Sequence, residues 1–507
     1  MFRVFIGLSL GAIIFGIPRG FDFSDEGLYV LLADPNQQNI GGIFNYDLFF
    51  KLIHRFTGLE FGIIGLRIIR LIIYFAGAFG LAVFWKNLFE SQTLPLSIFL
   101  LGLAGLFAGY GFLPPALSYN SIAVVAVCFW LAIISRKNMN PSGWILLGIV
   151  FAILFYAKVT TCLLLGALTV IYFLLKNKLN WQQLILLCLP FLILESLFYV
   201  LFKENALTRL TGEFGFLQQR QDYTFMNLVK YTAVGGFWIL LGGGLFFISA
   251  RLKKSGVRSY FWLLDLGMLL IIIVFYLTFI TSEWSHGILL ITFAFICWQL
   301  GSIDLSGFKR NELLFMLILM LLPFLLHFGS NVYWMRLGIH YWVFWLLAFA
   351  ILIQSRTTNF QIRFYVIASF SSLVVVLFGI WFRPFEGTAL WNATHPWEYH
   401  GGKRIWLNEA EITFLDEIKS EVSNPKATNV VALFGNPGLL YLTGANSPYS
   451  PGYWKSAQAE MFLKDGAELD LIFFNQQEVF PFDRNNWTLT KELIQPNGEK
   501  LLILWKK

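Results

Sequence analysis

The chain has 507 residues, of which 57% are hydrophobic and only 13% are charged, with a formal net charge of +7 at pH 7. The 54 phenylalanines and the mean hydropathy of +0.65 exclude an ordinary soluble protein. Repeated apolar runs, each long enough to cross about 30 Å of hydrocarbon, predict a polytopic α-helical membrane protein. The positive charge does not indicate nucleic-acid binding, because Lys and Arg gather in short loops between the apolar runs.

The apolar runs predict thirteen transmembrane spans. The first run begins with a basic residue and resembles a signal peptide. No small-x-small cleavage site follows it, so we expect it to remain as the first helix. The predicted spans are residues 3–18, 62–84, 93–113, 116–135, 143–157, 160–176, 183–202, 232–250, 261–280, 287–303, 312–329, 338–354 and 363–382.

The distribution of basic residues predicts the orientation. With a cytoplasmic N-terminus, every inner loop carries Lys or Arg, and the short outer loops contain fewer. An odd number of spans then places everything after Phe382 outside. Removing one span would invert half of this pattern. We therefore predict a membrane domain at residues 1–382 and an extracytoplasmic domain at residues 383–507. The chain has no retention signal, so we expect a bacterial plasma membrane.

The first outer segment opens with "GFDFSDEGLYVLLADP", three carboxylates directly after the first span. Asp22 or Ser24 is predicted to cap a short helix, which places Asp25 and Glu26 in its first turn. The positive end of the helix dipole keeps carboxylates ionised there. Asp25 and Tyr29 are four residues apart and share one face of the helix. Taken alone, helix capping explains these acids as well as a functional role does.

Two outer segments are long. The first, residues 19–61, also contains "GIFNYDLFFKLIHRF", in which Phe44, Leu48, Leu52 and Phe56 recur opposite a polar side. This spacing predicts a helix lying at the membrane surface. The second segment, residues 203–231, is polar and carries Arg209 and Arg220. We predict that it is a mobile loop over a cavity.

The composition after Phe382 is that of a soluble protein. "TNVVALFG", "LDLIFF" and "KLLILW" predict buried strands, and "LNEAEITFLDEIKSEV" has the period of an amphipathic helix. The sequence therefore predicts a small C-terminal α/β domain. The glycines of "GNPGLLYLTG" are expected to serve turns rather than phosphate binding.

An acidic pair outside the first span, then a surface helix, then a span opening with "GLRIIRLII", resembles the GT-C class of membrane glycosyltransferases. The resemblance is closest to the branch that contains the aminoarabinose transferases and the protein O-mannosyltransferases, whose Asp-Glu pair Asp25-Glu26 matches. "GIVFAILFYAKVTT" and the thirteen-span plan with an outer domain also fit. The chain lacks the Lys-Pro-Pro motif of aminoarabinose transferases and the Trp-Trp-Asp-Tyr-Gly motif of oligosaccharyltransferases, so neither group's substrate is carried over.

The resemblance implies sugar transfer from a polyprenyl-phosphate donor to an extracytoplasmic acceptor hydroxyl, with inversion at C1. Asp25 would then be the general base, and Glu26 would orient Asp25 or the acceptor. The departing phosphate needs positive charge at the outer interface. The candidates are Lys158, Arg336 with the neighbouring His340, and Arg209 and Arg220 of the polar loop.

Each of these assignments has an alternative. Lys158 is equally explained as a lysine that extends from a span end toward water. A transporter or flippase, or a ligase of lipid-linked glycans, is the rival function. A transporter is expected to carry ionisable groups at the membrane midplane. Here the clearest intramembrane acids, Glu195 and Asp265, lie nearer span ends. No His or Cys cluster has ligand spacing, so no cofactor is indicated, although outer carboxylates leave a divalent ion open.

Overall fold

The computed structural model describes two parts of the chain, a helical one and a smaller α/β one. The helices of the first part are α1 (Phe2–Gly16), α2 (Asp25–Leu32), α3 (Asp47–Thr57), α4 (Gly62–Leu88), α5 (Leu96–Phe107), α6 (Tyr119–Ile134), α7 (Pro141–Ala157), α8 (Val159–Leu175), α9 (Trp181–Phe202), α10 (Phe225–Lys254), α11 (Tyr260–Ile280), α12 (Ser285–Ser302), α13 (Arg310–His327), α14 (Trp334–Ile353) and α15 (Thr358–Phe382). The residues described are 1–40, 45–176, 180–211, 224–280, 283, 285–382, 384, 387–423, 429–464 and 466–507.

Most of these helices are strongly apolar. Within the described ranges, eight helices are long and apolar enough to cross a membrane, and five further apolar helices have 10–17 residues. A helix satisfies its backbone hydrogen bonds internally, which is what a hydrocarbon environment demands. The prediction of a polytopic α-helical membrane protein agrees with this architecture.

Burial distinguishes central helices from peripheral ones. α14 is apolar all round, and nearly all of its side chains are buried, so it lies at the centre of the bundle. A Cβ added at Gly105 of α5 would lie 2.6 Å from the Cβ of Val343, which shows how closely α5 approaches α14. α9 and α11 are equally apolar but expose large side chains such as Trp181, Leu192 and Trp262. These surfaces suit contact with lipid.

The first of the two long segments predicted to lie outside, residues 19–61, contains two short helices, as the sequence predicts. α2 begins at Asp25, and α3 begins at Asp47. Along α3, Leu48 is fully buried while Phe56 is 72% exposed, so the helix packs on the protein at its start and presents apolar surface at its end. The predicted polar side is not wholly exposed, because Asp47 is buried. Phe44 lies outside the described residues.

The C-terminal part confirms the predicted strands and helix. β1 (His395–Tyr399) and β2 (Lys403–Leu407) form an antiparallel pair. A four-stranded sheet has the order β3-β4-β6-β5, in which β3 and β4 are parallel and the other pairs antiparallel. Its strands are β3 (Val430–Leu433), β4 (Leu471–Asn475), β5 (Trp487–Ile494) and β6 (Lys500–Lys506), and its helices are α16 (Glu409–Ser423), α17 (Pro437–Thr443) and α18 (Ser456–Leu463).

Two contact points among several hold this domain against residues 18–40. The backbone N–H of Gly20 donates to the Trp406 carbonyl at 2.8 Å, and the Trp406 N–H donates to the Pro18 carbonyl at 2.8 Å. At the second point α17 crosses α2 so closely that a Cβ on Gly27 would lie 2.3 Å from the Cα of Gly438. The sheet domain and α2 therefore pack as one unit.

Candidate functional site

Asp25 lies at the start of α2 and is half-buried. One turn further, Tyr29 is buried, and its ring centroid lies 6.4 Å from that of Tyr119, the first residue of α6. Burial raises the pKa of Tyr29 well above its usual value, and the Asp25 carboxylate adds to the shift. Burial likewise raises the pKa of Tyr46, with Tyr119, Asp47 and Asp25 contributing. Both phenols therefore stay protonated near this carboxylate.

Lys158 joins α7 to α8 and is 7% exposed. Its ammonium donates to the Leu326 carbonyl at 2.5 Å, to Asn120 Oδ1 at 3.3 Å and to Ser330 Oγ at 3.3 Å. It also lies 5.7 Å from the ring centroid of Tyr119. Tyr119 thus contacts Tyr29 on one helix and Lys158 on another. The structure brings Asp25, Tyr29 and Lys158 into one neighbourhood.

His340 adjoins this neighbourhood through Tyr341. The two rings lie 5.7 Å apart, and the Tyr341 hydroxyl donates to Asn120 Oδ1 at 3.3 Å. His340 Nδ1 lies 3.3 Å from the Gly109 carbonyl oxygen. Its other ring nitrogen, Nε2, is buried without a hydrogen-bond partner among the described residues. A buried imidazole nitrogen is thereby left for a further contact.

Glu26, the second acid of the pair, points at a different partner. Its two carboxylate oxygens accept from Nε and Nη2 of Arg67 at 2.8 and 2.7 Å, and the exposure of the two side chains is 0% and 1%. The same guanidinium donates to the carbonyls of Ile17, Arg19 and Gly20 at 2.7–2.8 Å. Glu26 and Arg67 therefore fasten α2 to α4 and to the end of α1.

The helix cap predicted at Asp22 or Ser24 is made by the Asp22 side chain. Its Oδ2 accepts from the backbone N–H of Glu26 at 2.8 Å, and its Oδ1 accepts from that of Ser24 at 2.9 Å. Ser24 occupies the N-cap position but makes no capping bond with its side chain. Capping thus accounts for Asp22, and the Arg67 ion pair accounts for Glu26.

Arg209 forms a bidentate ion pair with Asp47 of α3, in which Nη1 and Nη2 donate to the two carboxylate oxygens at 2.6 and 2.9 Å. Its Nη2 also pairs with the Glu204 carboxylate at 2.7 Å. Asn39 Nδ2 donates to the same Asp47 carboxylate at 3.0 Å. Arg209 is 4% exposed, so in this structure it binds the first outer segment. Arg220 and the rest of residues 212–223 lie outside the described residues. The prediction of a mobile loop over residues 203–231 is wrong at its described ends, because residues 206–211 are helical and residues 225–231 belong to α10.

Arg336 is placed at the beginning of α14. Its guanidinium forms an ion pair with Glu283, which precedes α12. About half of the Arg336 side chain, 48%, is exposed, in contrast to the buried Lys158 and Arg209. The exposed guanidinium is accessible from outside the bundle.

Sequence reasoning placed neither Arg67 nor Asn120 in the site. The sequence did contain an indication for Arg67, because burying an arginine in an apolar span costs free energy unless a specific partner is present. The sequence contained no such indication for Asn120, because its position beside Lys158 depends on how α6 packs against α7 and α13. Among the residues that the structure describes, no group of three or more His, Cys, Asp or Glu side chains is arranged to hold a metal ion.

No protein-family model matches this chain, and neither does any curated protein.

Proposed function

We propose that this protein is an integral membrane glycosyltransferase that moves a sugar from a polyprenyl-phosphate donor to an acceptor hydroxyl on the extracytoplasmic side. The observation that carries the proposal is the position of Asp25. It is a half-buried carboxylate at the start of α2, and Tyr29 and Tyr119 connect it to the buried Lys158. Its neighbour Glu26 is held by Arg67, so Glu26 serves to fasten α2 in place.

The reaction assigns one step to each charged group. The acceptor oxygen attacks C1 of the sugar, and the bond from C1 to the phosphate oxygen breaks with inversion. The acceptor proton passes to the Asp25 carboxylate, which acts as general base. The phosphate leaves with the electron pair of the broken bond. Lys158 offsets the negative charge that develops on it, and Arg336 and His340 are the further candidates for contact with the donor.

The membrane arrangement that we propose is GT-C-like, with all thirteen apolar helices crossing the bilayer. The N-terminus is cytoplasmic, and residues 383–507 are extracytoplasmic. We take the five shorter helices to cross as well, because the bilayer thins locally around a short apolar segment and flanking residues extend to the interface. This arrangement puts Asp25 at the outer surface, where a lipid donor and an extracytoplasmic acceptor both reach it.

A transport function is less well supported by the buried acid Glu195. Its carboxylate accepts from the Tyr156 hydroxyl and from the backbone N–H groups of Ala206 and Leu207, both at 3.3 Å. These bonds cap the helical residues 206–211. A carboxylate held in this way serves the packing of α9 rather than an ion pathway.

The function is tested by Asp25→Asn. Cells without the protein are compared with cells that carry the parent or the variant, and envelope lipids and glycans are measured by mass spectrometry. We expect one sugar modification to depend on the parent protein. The initial rate at which it forms should fall by about 10²–10⁴-fold with Asp25→Asn, because the amide cannot accept the proton.

Asp34→Asn, at the other end of α2, is the matched control, because Asp34 lines neither cavity. It should retain most of the rate, because an amide oxygen still accepts the hydrogen bond that the Asn36 N–H donates to Asp34 Oδ1 at 2.8 Å. Expression and thermal stability are measured for both variants. Transfer by a folded Asp25→Asn protein at the parent rate would show that the base lies elsewhere.

A further inference from the structure

A polar cleft lies where the sheet domain meets the segment before Asp25. It has a volume of about 230 Å³ and opens to solvent. Its walls come from four places: the stretch from Phe21 to Ser24, the pair Gly387 and Thr388, the start of α16 at Glu411, and the sheet domain at Asn436 and Gln495.

Two amide groups in its walls have no hydrogen-bond partner among the described residues. They are Asn436 Nδ2, just before α17, and Gln495 Nε2, in the turn from β5 to β6. The side chains are only 6% and 3% exposed. A buried amide group without a hydrogen-bond partner lowers the stability of the folded protein. The contribution of Asn436 and Gln495 to folding therefore does not explain their presence in the walls of one cleft.

The cleft also contains acids but lacks basic residues. Asp22 and Glu411 line it, and no Lys or Arg is among the described residues of its walls. Hydroxyl groups of Ser24 and Thr388 complete the polar surface. Amide donors beside carboxylate acceptors suit a ligand whose groups both donate and accept, as sugar hydroxyls do. The Asp22 carboxylate disfavours a phosphate or carboxylate ligand by like-charge repulsion. Glu411, whose pKa burial raises to about 7, adds to this repulsion when it is ionised.

The cleft extends toward the membrane helices. A second, smaller cavity shares five of its lining residues and reaches Arg67, Tyr110 and Leu390. The floor of the cleft at Asp22 is three residues from Asp25, which a fully extended chain spans in about 10 Å. The cleft therefore lies within about 10 Å of the carboxylate that takes the acceptor proton, close enough for a bound glycan to extend to it.

We propose that this cleft binds the acceptor, and that the acceptor is a glycan without anionic groups. This inference rests on the proposed function only in calling the ligand an acceptor. Binding of a glycan in the cleft does not itself require that a sugar be transferred. Asn436 and Gln495 are the specificity-determining donors. In the free protein they remain unpaired, and they find partners when sugar hydroxyls enter.

The test measures glycan binding by the full-length protein in detergent, without donor. The probes are chitotriose, maltotriose and cellotriose, with oligogalacturonate as the anionic counterpart. At least one neutral trisaccharide should bind, detected by saturation-transfer NMR and titration calorimetry, and oligogalacturonate should bind more weakly than any neutral probe that binds. The variants Gln495→Met and Asn436→Leu keep the side-chain size but remove the amide. Each should weaken binding about 2- to 10-fold, the effect of losing one hydrogen bond.

Thermal stability separates this role from a structural one. Both variants should unfold at the parent temperature or above it, because each removes an unpaired buried amide. Asn485→Ala, an exposed amide of the same domain outside the cleft, should change neither property. Absence of binding by all three neutral probes, or binding that both variants leave unchanged, overturns the inference. If neutral glycans bind and the variants weaken that binding, but the protein transfers no sugar, the proposed function is wrong. The assignment of the cleft as a glycan-binding site is then still supported.

Discussion

At the scale of single residues, the two adjacent acids of the first outer segment have different surroundings. Glu26 is buried against Arg67, whereas Asp25 is only half-buried and lies near two protonated tyrosines. Moving two charges out of water is expensive, so the Glu26–Arg67 pair adds little net stability over an apolar pair. Removing one partner is different, because the other charge is then buried alone.

Glu26→Gln is therefore expected to destabilise the protein by about 3–5 kcal/mol. The amide keeps the shape of the carboxylate but leaves the Arg67 charge without its counter-ion, although three carbonyls still accept from that guanidinium. Thermal unfolding of the purified protein, followed by size-exclusion chromatography after heating, measures the effect. Asp25→Asn is the control and should unfold close to the parent. Equal unfolding temperatures for the parent and Glu26→Gln would mean that the ion pair does not hold α2 in place.

At the scale of elements, the crossing of α2 and α17 fixes the sheet domain over the site. Two glycines meet there, and the Gly438 N–H also donates to the Phe23 carbonyl at 2.8 Å. A methyl group on Gly27 would meet the backbone of Gly438 and not a side chain that is able to turn aside. The two elements would have to separate.

Gly27→Ala should accordingly loosen the domain. Alanine stabilises a helix relative to glycine by about 1 kcal/mol, whereas overpacking against fixed atoms costs about 1–3 kcal/mol. We therefore expect a net destabilisation of the contact between α2 and α17. Limited proteolysis between residues 383 and 423 should become faster, and sugar transfer should fall. Gly166→Ala in α8 is the matched control, because a Cβ there meets nothing within 4 Å. Proteolysis of Gly27→Ala at the parent rate would show that α2 and α17 tolerate a wider crossing.

Most helices and half of the strands were predictable from the sequence. The apolar runs predicted the long helices, and three uninterrupted hydrophobic runs predicted β3, β4 and β6. The pair β1–β2 was missed, although Gly401 and Gly402, both with positive φ near 70°, carried the signal of a tight turn between alternating residues. The partner of Asp47 was beyond sequence reasoning, because Arg209 lies 162 positions away and only tertiary packing brings the two side chains together.

At the scale of the whole molecule, helix ends rich in basic residues meet on one side of the bundle. Lys137, after α6, forms an ion pair with Glu90, after α4, at 3.6 Å. Arg356, after α14, donates to Gln299 near the end of α12 at 3.1 Å. The sheet domain instead contacts the opposite end, through the segment that follows α1. Segregation of this kind is what the positive-inside rule produces.

The final prediction is that Lys254 and the C-terminus lie in opposite compartments. Reporter fusions after Lys137, after Lys254 and after Lys507 measure it, using one reporter that is active only in the cytoplasm and one that is active only outside. The first two fusions should report the cytoplasm, because their basic residues resist translocation. The third should report the outside, because five apolar helices follow Lys254 and an odd number of crossings reverses the side.

Lys137 is the internal control for this experiment, since an even number of crossings separates it from Lys254. A cytoplasmic signal from all three fusions would mean that one of the last five helices does not cross. The sheet domain packs directly on α2, so it would then bring Asp25 to the cytoplasmic side with it. An acceptor outside the cell would no longer reach this carboxylate, and the proposed reaction would have to be abandoned along with the topology.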